Sequence, residues 1–142
     1  MHVLTLYQSR SGHTRRAAEA IGKAVHDLGH SAAIKSVIEV RRADVEQADL
    51  LFIGTWTQGF ILFGVKPAGA QLWVPALPPL AGKPVAVFCT YAFSPRRSLD
   101  RLSDLLAARG AVVVGQQAFH RGHPDERAED FVRQALSAVD QT

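Results

Sequence analysis

Residues 7–14 read Tyr7-Gln8-Ser9-Arg10-Ser11-Gly12-His13-Thr14. Immediately upstream, Val3 to Tyr7 is a short apolar run with strand character. Downstream, Ala17, Ala18, Ile21, Ala24, Val25 and Leu28 recur at helical spacing from Thr14 onward, and Gly29 follows where a helix C-cap is expected. The octapeptide is therefore a turn between a strand and a helix. It places Ser9, Ser11, Thr14 and Gly12 where the backbone N–H groups of a helix N-terminus lack partners. Such a terminus carries about half a positive charge, and its free amides point at any anion set before it. The hydroxyls add donors, and Gly12 lets the backbone curl closely round the anion. Arg10, His13, Arg15 and Arg16 raise the local potential further. A helix cap needs one hydroxyl; three hydroxyls with a glycine among them suit a phosphate monoester.

Outward from this turn the hydrophobic period keeps switching. Ala32–Val37, Leu50–Thr55, Val85–Thr90 and Ala111–Gly115 read as strands. Ser98–Arg109, closed by Gly110, and Glu126–Val139 read as amphipathic helices. An irregular segment, Phe60–Gly82, has room for a short helix. No repeat, linker or low-complexity tract divides residues 1–142, so one α/β domain is expected. Alternation of this kind implies a parallel sheet covered on both faces. In such sheets ligands bind outside the carboxyl ends of the strands. The loops to inspect begin at Ser9, Thr55 and Thr90. The Gly-x-x-x-x-Gly-Lys-Ser/Thr and Gly-x-Gly-x-x-Gly phosphate patterns are both absent.

The pattern Tyr7-x-Ser9-x-Ser11-Gly12-x-Thr14, followed by Ala18 and Ile21, resembles the FMN-phosphate signature of the flavodoxin family, whose usual loop is Thr/Ser-x-Thr/Ser-Gly-x-Thr. Thr5 departs from it, where an aliphatic strand residue is usual. The resemblance implies a flavodoxin-like three-layer sandwich with a five-stranded parallel sheet in the order 2-1-3-4-5. It also implies FMN as cofactor, with Ser9, Arg10, Ser11, Gly12, His13 and Thr14 wrapped round its phosphate. Trp56, in Gly54-Thr55-Trp56-Thr57-Gln58-Gly59-Phe60, is by resemblance one of two aromatics that flank the ring; a flat, electron-poor ring stacks well on an indole. Thr55, Thr57, Gln58 and Gly59 would supply backbone to the ring's polar edge, and Gly54 and Gly59 would let the loop change conformation on reduction. Thr90, Tyr91, Ala92 and Phe93 would face the ring from the other side, with Tyr91 or Phe93 as the second aromatic. The family more often carries a glycine and an acidic residue in this last loop. Their absence removes a charge that opposes a flavin anion, so a higher second reduction potential is expected.

Composition bounds the alternatives. With 142 residues, 47% of them hydrophobic, the chain can bury a core without disulfides. A single cysteine, Cys89, rules out an internal disulfide framework and suits a reducing cytoplasm. No run reaches the ~18 apolar residues of a membrane span, and the N-terminus lacks signal-peptide character. The net charge of +3 is mixed rather than striped, which disfavours nucleic acid. A phosphoacceptor receiver would need acids where Gln8-Ser9 and Thr55-Trp56 stand. A cysteine phosphatase would need arginine one residue before Arg96. Cys89 reads as a buried thiol, Trp73 as a packing residue, and His120 and His123 as part of a solvated loop without metal. Two redox roles remain: a carrier that meets a partner protein, or a small FMN oxidoreductase acting on a quinone-like substrate. A flavin-free module on the same fold is the third possibility. A monomer or weak homodimer is expected.

Overall fold

The computed structural model describes residues 1–8, 12–58, 66–67, 69–92 and 98–141; at 57, 58, 66, 67, 71 and 72 it describes the backbone alone. In chain order the elements are β1 (His2–Tyr7), α1 (His13–Asp27), β2 (Ser31–Ser36), α2 (Arg42–Gln47), β3 (Leu50–Gln58), β4 (Lys66–Pro67), α3 (Ala70–Trp73) with a following 3-10 turn (Val74–Ala76), β5 (Pro84–Tyr91), α4 (Ser98–Ala108), β6 (Val112–His120) and α5 (Ala128–Asp140). The five long strands are parallel in the order β2-β1-β3-β5-β6. Numbered without the two-residue β4, this is the expected order 2-1-3-4-5.

Both faces of the sheet are covered, as near-continuous apolar strands require. Along β3 and β5 the side chains alternate between two cores. Phe52, Ala86 and Phe88 point to the side of α1 and α5, whereas Leu51, Ile53, Val85 and Val87 point to the side of α3 and α4. The first core is built on edge-to-face rings: Phe52–Phe131 with centroids 5.1 Å apart, Phe88–Phe119 at 6.1 Å and Phe119–Phe131 at 6.0 Å. Such pairs add to the benefit of burial alone. The second core closes over Leu80, Leu102 and Leu106. Trp73 packs half-buried against this second core.

Several elements differ from the sequence reading. β5 and β6 run on to Tyr91 and His120 because their parallel pairing continues past the apolar run, and β3 runs on to Gln58, parallel to β5 as far as Trp56 and antiparallel to β4 beyond it. A register slip between Val85 and Ala86 leaves Val114 as the extra residue of β6, which offsets the pattern that made this strand look short. Thr55, Trp56, Thr57 and Gln58 are thus strand residues, and β4 pairs antiparallel to the end of β3 (Thr57↔Pro67, Gln58↔Lys66). The glycine at 54 also has a different role from the loop freedom expected of it. It lies inside β3, where an added Cβ would collide with the Phe88 ring. The six-residue α2 is absent from the sequence reading, since it buries only Val45 and has no apolar period. It forms where Asp44 reaches back to the Arg41 backbone N–H at 2.8 Å and accepts from Lys35 Nζ at 3.0 Å. The short helix expected within Phe60–Gly82 is α3.

Two measurements test this architecture. Gly54→Ala should destabilise the fold by about 1–3 kcal/mol, because the buried Phe88 ring must shift within a packed core; denaturant midpoints read this directly. Asp44 is held below its ordinary value of 3.8, first by the Arg41 backbone hydrogen bond and then by Lys35. A carboxylate whose folded-state pKa is lowered stabilises fully above its unfolded-state value, and the effect is lost as pH falls from there through the lowered value. Asp44→Asn should therefore lower the urea midpoint at neutral pH, and the two proteins should converge as pH drops below 3.8.

Candidate functional site

The carboxyl ends of β1, β3, β5 and β6 gather round the start of α1. Gly12 precedes α1 with φ 90°, a left-handed conformation that glycine adopts without a Cβ penalty. Its carbonyl accepts the first intrahelical bond, from Arg16 N–H at 3.0 Å. The first turn of α1 holds no acidic residue, and no side chain at Gly12 caps it. The positive end of the helix dipole is therefore unanswered by the helix itself. His13 Nδ1 is buried there with no hydrogen-bond partner. A buried polar atom without a partner is costly and calls for an explanation. Ser9, Arg10 and Ser11, the centre of the hydroxyl turn, lie outside the described residues.

Thr14 is buried on the second residue of α1, and its Oγ1 stands 2.7 Å from Thr90 Oγ1 of β5. This bond ties the phosphate-type turn to the strand 76 residues later. Along β5, Thr90 follows Ala86 and Phe88 on the α1 side. Trp56 is its register partner on β3, and the alternation of β3 puts this half-buried indole on the same face. Thr55 points to the opposite face, after Leu51 and Ile53. Its buried hydroxyl donates to Gln8 Oε1 at 3.2 Å, while Gln8 N–H donates to the Gly54 carbonyl at 3.0 Å. Gln8 thus anchors the first residue of the turn to β3, a role the sequence reading did not assign. The signal was available only as position, one residue past a strand.

At the far side of the site, Tyr91 ends β5 and meets the His120 ring edge-to-face, centroids 5.4 Å apart. Tyr91 C=O accepts from Arg121 N–H at 2.8 Å. Gly122 N–H donates to His120 Nδ1 at 3.0 Å, which leaves Nε2 to carry the proton toward Ala92 C=O, also at 3.0 Å. His120 is solvent-exposed, as the sequence reading expects, yet it closes β6 and holds the residues that follow β5. Phe93 and Gly59 lie outside the described residues, and of Thr57 and Gln58 only the backbone is described. Thr14, Thr90 and Trp56 are together on one face; Thr55 is on the other. Arg15, counted above toward the local potential, pairs with Glu19 at 3.0 Å on the exposed side of α1. Cys89 is buried inside β5 and forms no disulfide. Among the described residues no helix is long and apolar enough to cross a membrane.

A doubly covered parallel sheet of order 2-1-3-4-5 defines the doubly wound class of α/β proteins, in which ligands bind outside the carboxyl ends of the strands. The family of flavodoxin domains matches residues 4–100, more than half of the chain. A flavodoxin of Clostridium beijerinckii is 23% identical over 128 residues, covering 89% of this chain and 91% of its own. Two-electron reduced Megasphaera elsdenii flavodoxin superposes with TM-score 0.73 at 21% identity over 99% of each chain. The flavodoxin of Streptococcus pneumonia TIGR4 superposes with TM-score 0.75 at 18% identity, covering 96% of this chain and 99% of its own. The chain belongs to the flavodoxin family. With that membership come FMN as cofactor and electron transfer as function.

Proposed function

We propose that this flavodoxin-family chain carries electrons to a redox partner protein, with the phosphate of FMN seated at the start of α1. The observation that carries this reading is His13 Nδ1, buried at the start of α1 without a hydrogen-bond partner among the described residues, next to left-handed Gly12 and the buried Thr14. A phosphate fits there, since the first turn of α1 holds no carboxylate to oppose its charge. Ser9, Arg10 and Ser11 complete the turn in sequence and belong to the same proposal. Trp56 forms an apolar wall on the α1 side, and Tyr91, held by His120, borders the site from β5. Bound FMN supplies reversible electron transfer through its ring. The chain's own part is to bind and orient it, keep water from its phosphate end and set the charge around it. No acidic residue occurs from Thr90 to Arg97, so this loop adds no negative charge beside the cofactor.

The net charge of +3 supports a partner that presents acidic groups, since complementary charge speeds encounter. The single, buried cysteine supports work in a reducing cytoplasm. Direct reduction of a quinone-like substrate is the competing role, and steady NAD(P)H consumption with a quinone and no second protein would establish it in place of the carrier.

The first test is the visible spectrum of the purified protein after FMN is added and the excess removed. Retained flavin bands are expected, and a colourless protein would end the redox reading. In the same preparation Trp56→Ala should weaken FMN binding about tenfold, in line with loss of a large aromatic contact. Trp73→Ala, which faces the second core away from the site, should bind as the wild type does. Equal affinities for the two variants would remove Trp56 from the site.

A further inference from the structure

The Thr14–Thr90 bond joins two side chains with unequal positions. Thr14 stands at the anion end of α1, whereas Thr90 lies one layer further in, on β5 between its register partners Trp56 on β3 and Phe119 on β6. Both residues are almost fully buried, with relative exposures of 1% and 2%. At 2.7 Å the contact is a well-formed O–H···O bond. One proton lies in it, and the geometry allows either oxygen to be the donor. Among the described residues neither hydroxyl has a second side-chain partner. The β-branched side chain of Thr90 is stiff about χ1, and its aromatic neighbours leave little room for water, so an unmade bond there is costly.

An anion breaks the symmetry between the two directions. Phosphate oxygens accept and do not donate, so Thr14 must turn its only proton toward the phosphate. It can do so without loss only if Thr90 donates into the Thr14 lone pair. We propose that Thr90 is a positioning residue that fixes the direction of the Thr14 hydroxyl, and so makes the site favour a flavin with a phosphate over the same flavin without one. Thr90 does not itself touch the phosphate in this arrangement. Without the Thr90 proton, nothing in this pair holds the Thr14 hydroxyl in the direction of the phosphate. The proposal rests on the FMN reading given above.

The test titrates the whole chain with FMN and, separately, with riboflavin, which lacks the phosphate, following quenching of flavin fluorescence. Thr90→Val should weaken FMN binding about tenfold, the usual effect of losing one hydrogen bond that supports a charged ligand. Riboflavin binding should stay within about twofold, and Thr90→Ser should restore FMN affinity to within about threefold. In a Thr14→Val background the same change at Thr90 should have little further effect, because the group it orients is gone. Equal loss for both flavins, or additive losses in the double variant, would show that Thr90 acts by packing alone and would overturn the proposal. So would a Thr90→Val protein that binds FMN as the wild type does. Should Thr90→Val fail to fold, Thr90→Ser and Thr90→Ala make the same comparison, with serine near wild type and alanine weak for FMN only. A wild-type chain that binds neither flavin would instead overturn the FMN reading itself.

Discussion

Close packing of α1 against the sheet is the constraint on which the site depends. The buried face of that helix is made of small residues, Ala17, Ala18, Gly22 and Ala24, with Ile21 and Val25 as its larger anchors. At Gly22 an added Cβ would come within 2.5 Å of the end of the Ile34 side chain on β2, so a methyl group there would push that side chain aside. Tight helix-to-sheet contact brings the first turn of α1 within hydrogen-bond reach of β5. Were the helix a few ångströms further out, Thr14 could not meet Thr90. The dipole at its N-terminus would then face solvent instead of the strand ends.

The hydroxyls at the carboxyl end of the sheet extend the same argument. Thr14 and Thr90 pair on the α1 face, and Thr55 pairs with Gln8 on the other. Buried hydroxyls without partners would cost more than they return, and apolar side chains would pack here as well. Satisfied pairs on both faces instead give a rigid polar rim just beyond the two cores. Rigidity here has a functional use, because donors held in place need no reorganisation to receive an anion. Beyond this rim, Tyr91, Ala92 and His120 form a second fixed point. It ties β6 to the residues that leave β5.

Surface charge follows a different logic. The ion pairs on α1 and α5, Arg15–Glu19, Lys23–Asp27 and Arg133–Glu129, are exposed pairs one helical turn apart. Each contributes little to stability, and the first neutralises Arg15, a cation that the sequence reading credits to the site. Position relative to a helix face therefore matters more than the number of arginines near a motif.

Periodicity and punctuation in the sequence determined most of the fold. Helical spacing with Gly29 and Gly110 marked α1 and α4, and compact apolar runs marked β1, β3 and β5, because these signals are local and each element carries its own. The hydroxyl turn at Ser9–Thr14 stands out in the sequence for the same reason: its residues are six consecutive ones. Strand ends do not, since where β3, β5 and β6 stop is set by pairing with neighbouring strands, which the local sequence does not show. Helix α2 was hidden because a capping contact from Asp44 builds it where no apolar period exists. Only tertiary structure decided which side chains share a face. Thr55 and Trp56 are adjacent in sequence yet point to opposite sides of the sheet, while Thr14 and Thr90 lie far apart in the chain and share a proton. The reason is physical: a strand alternates its side chains at every residue, so a small extension of pairing sets what each one meets.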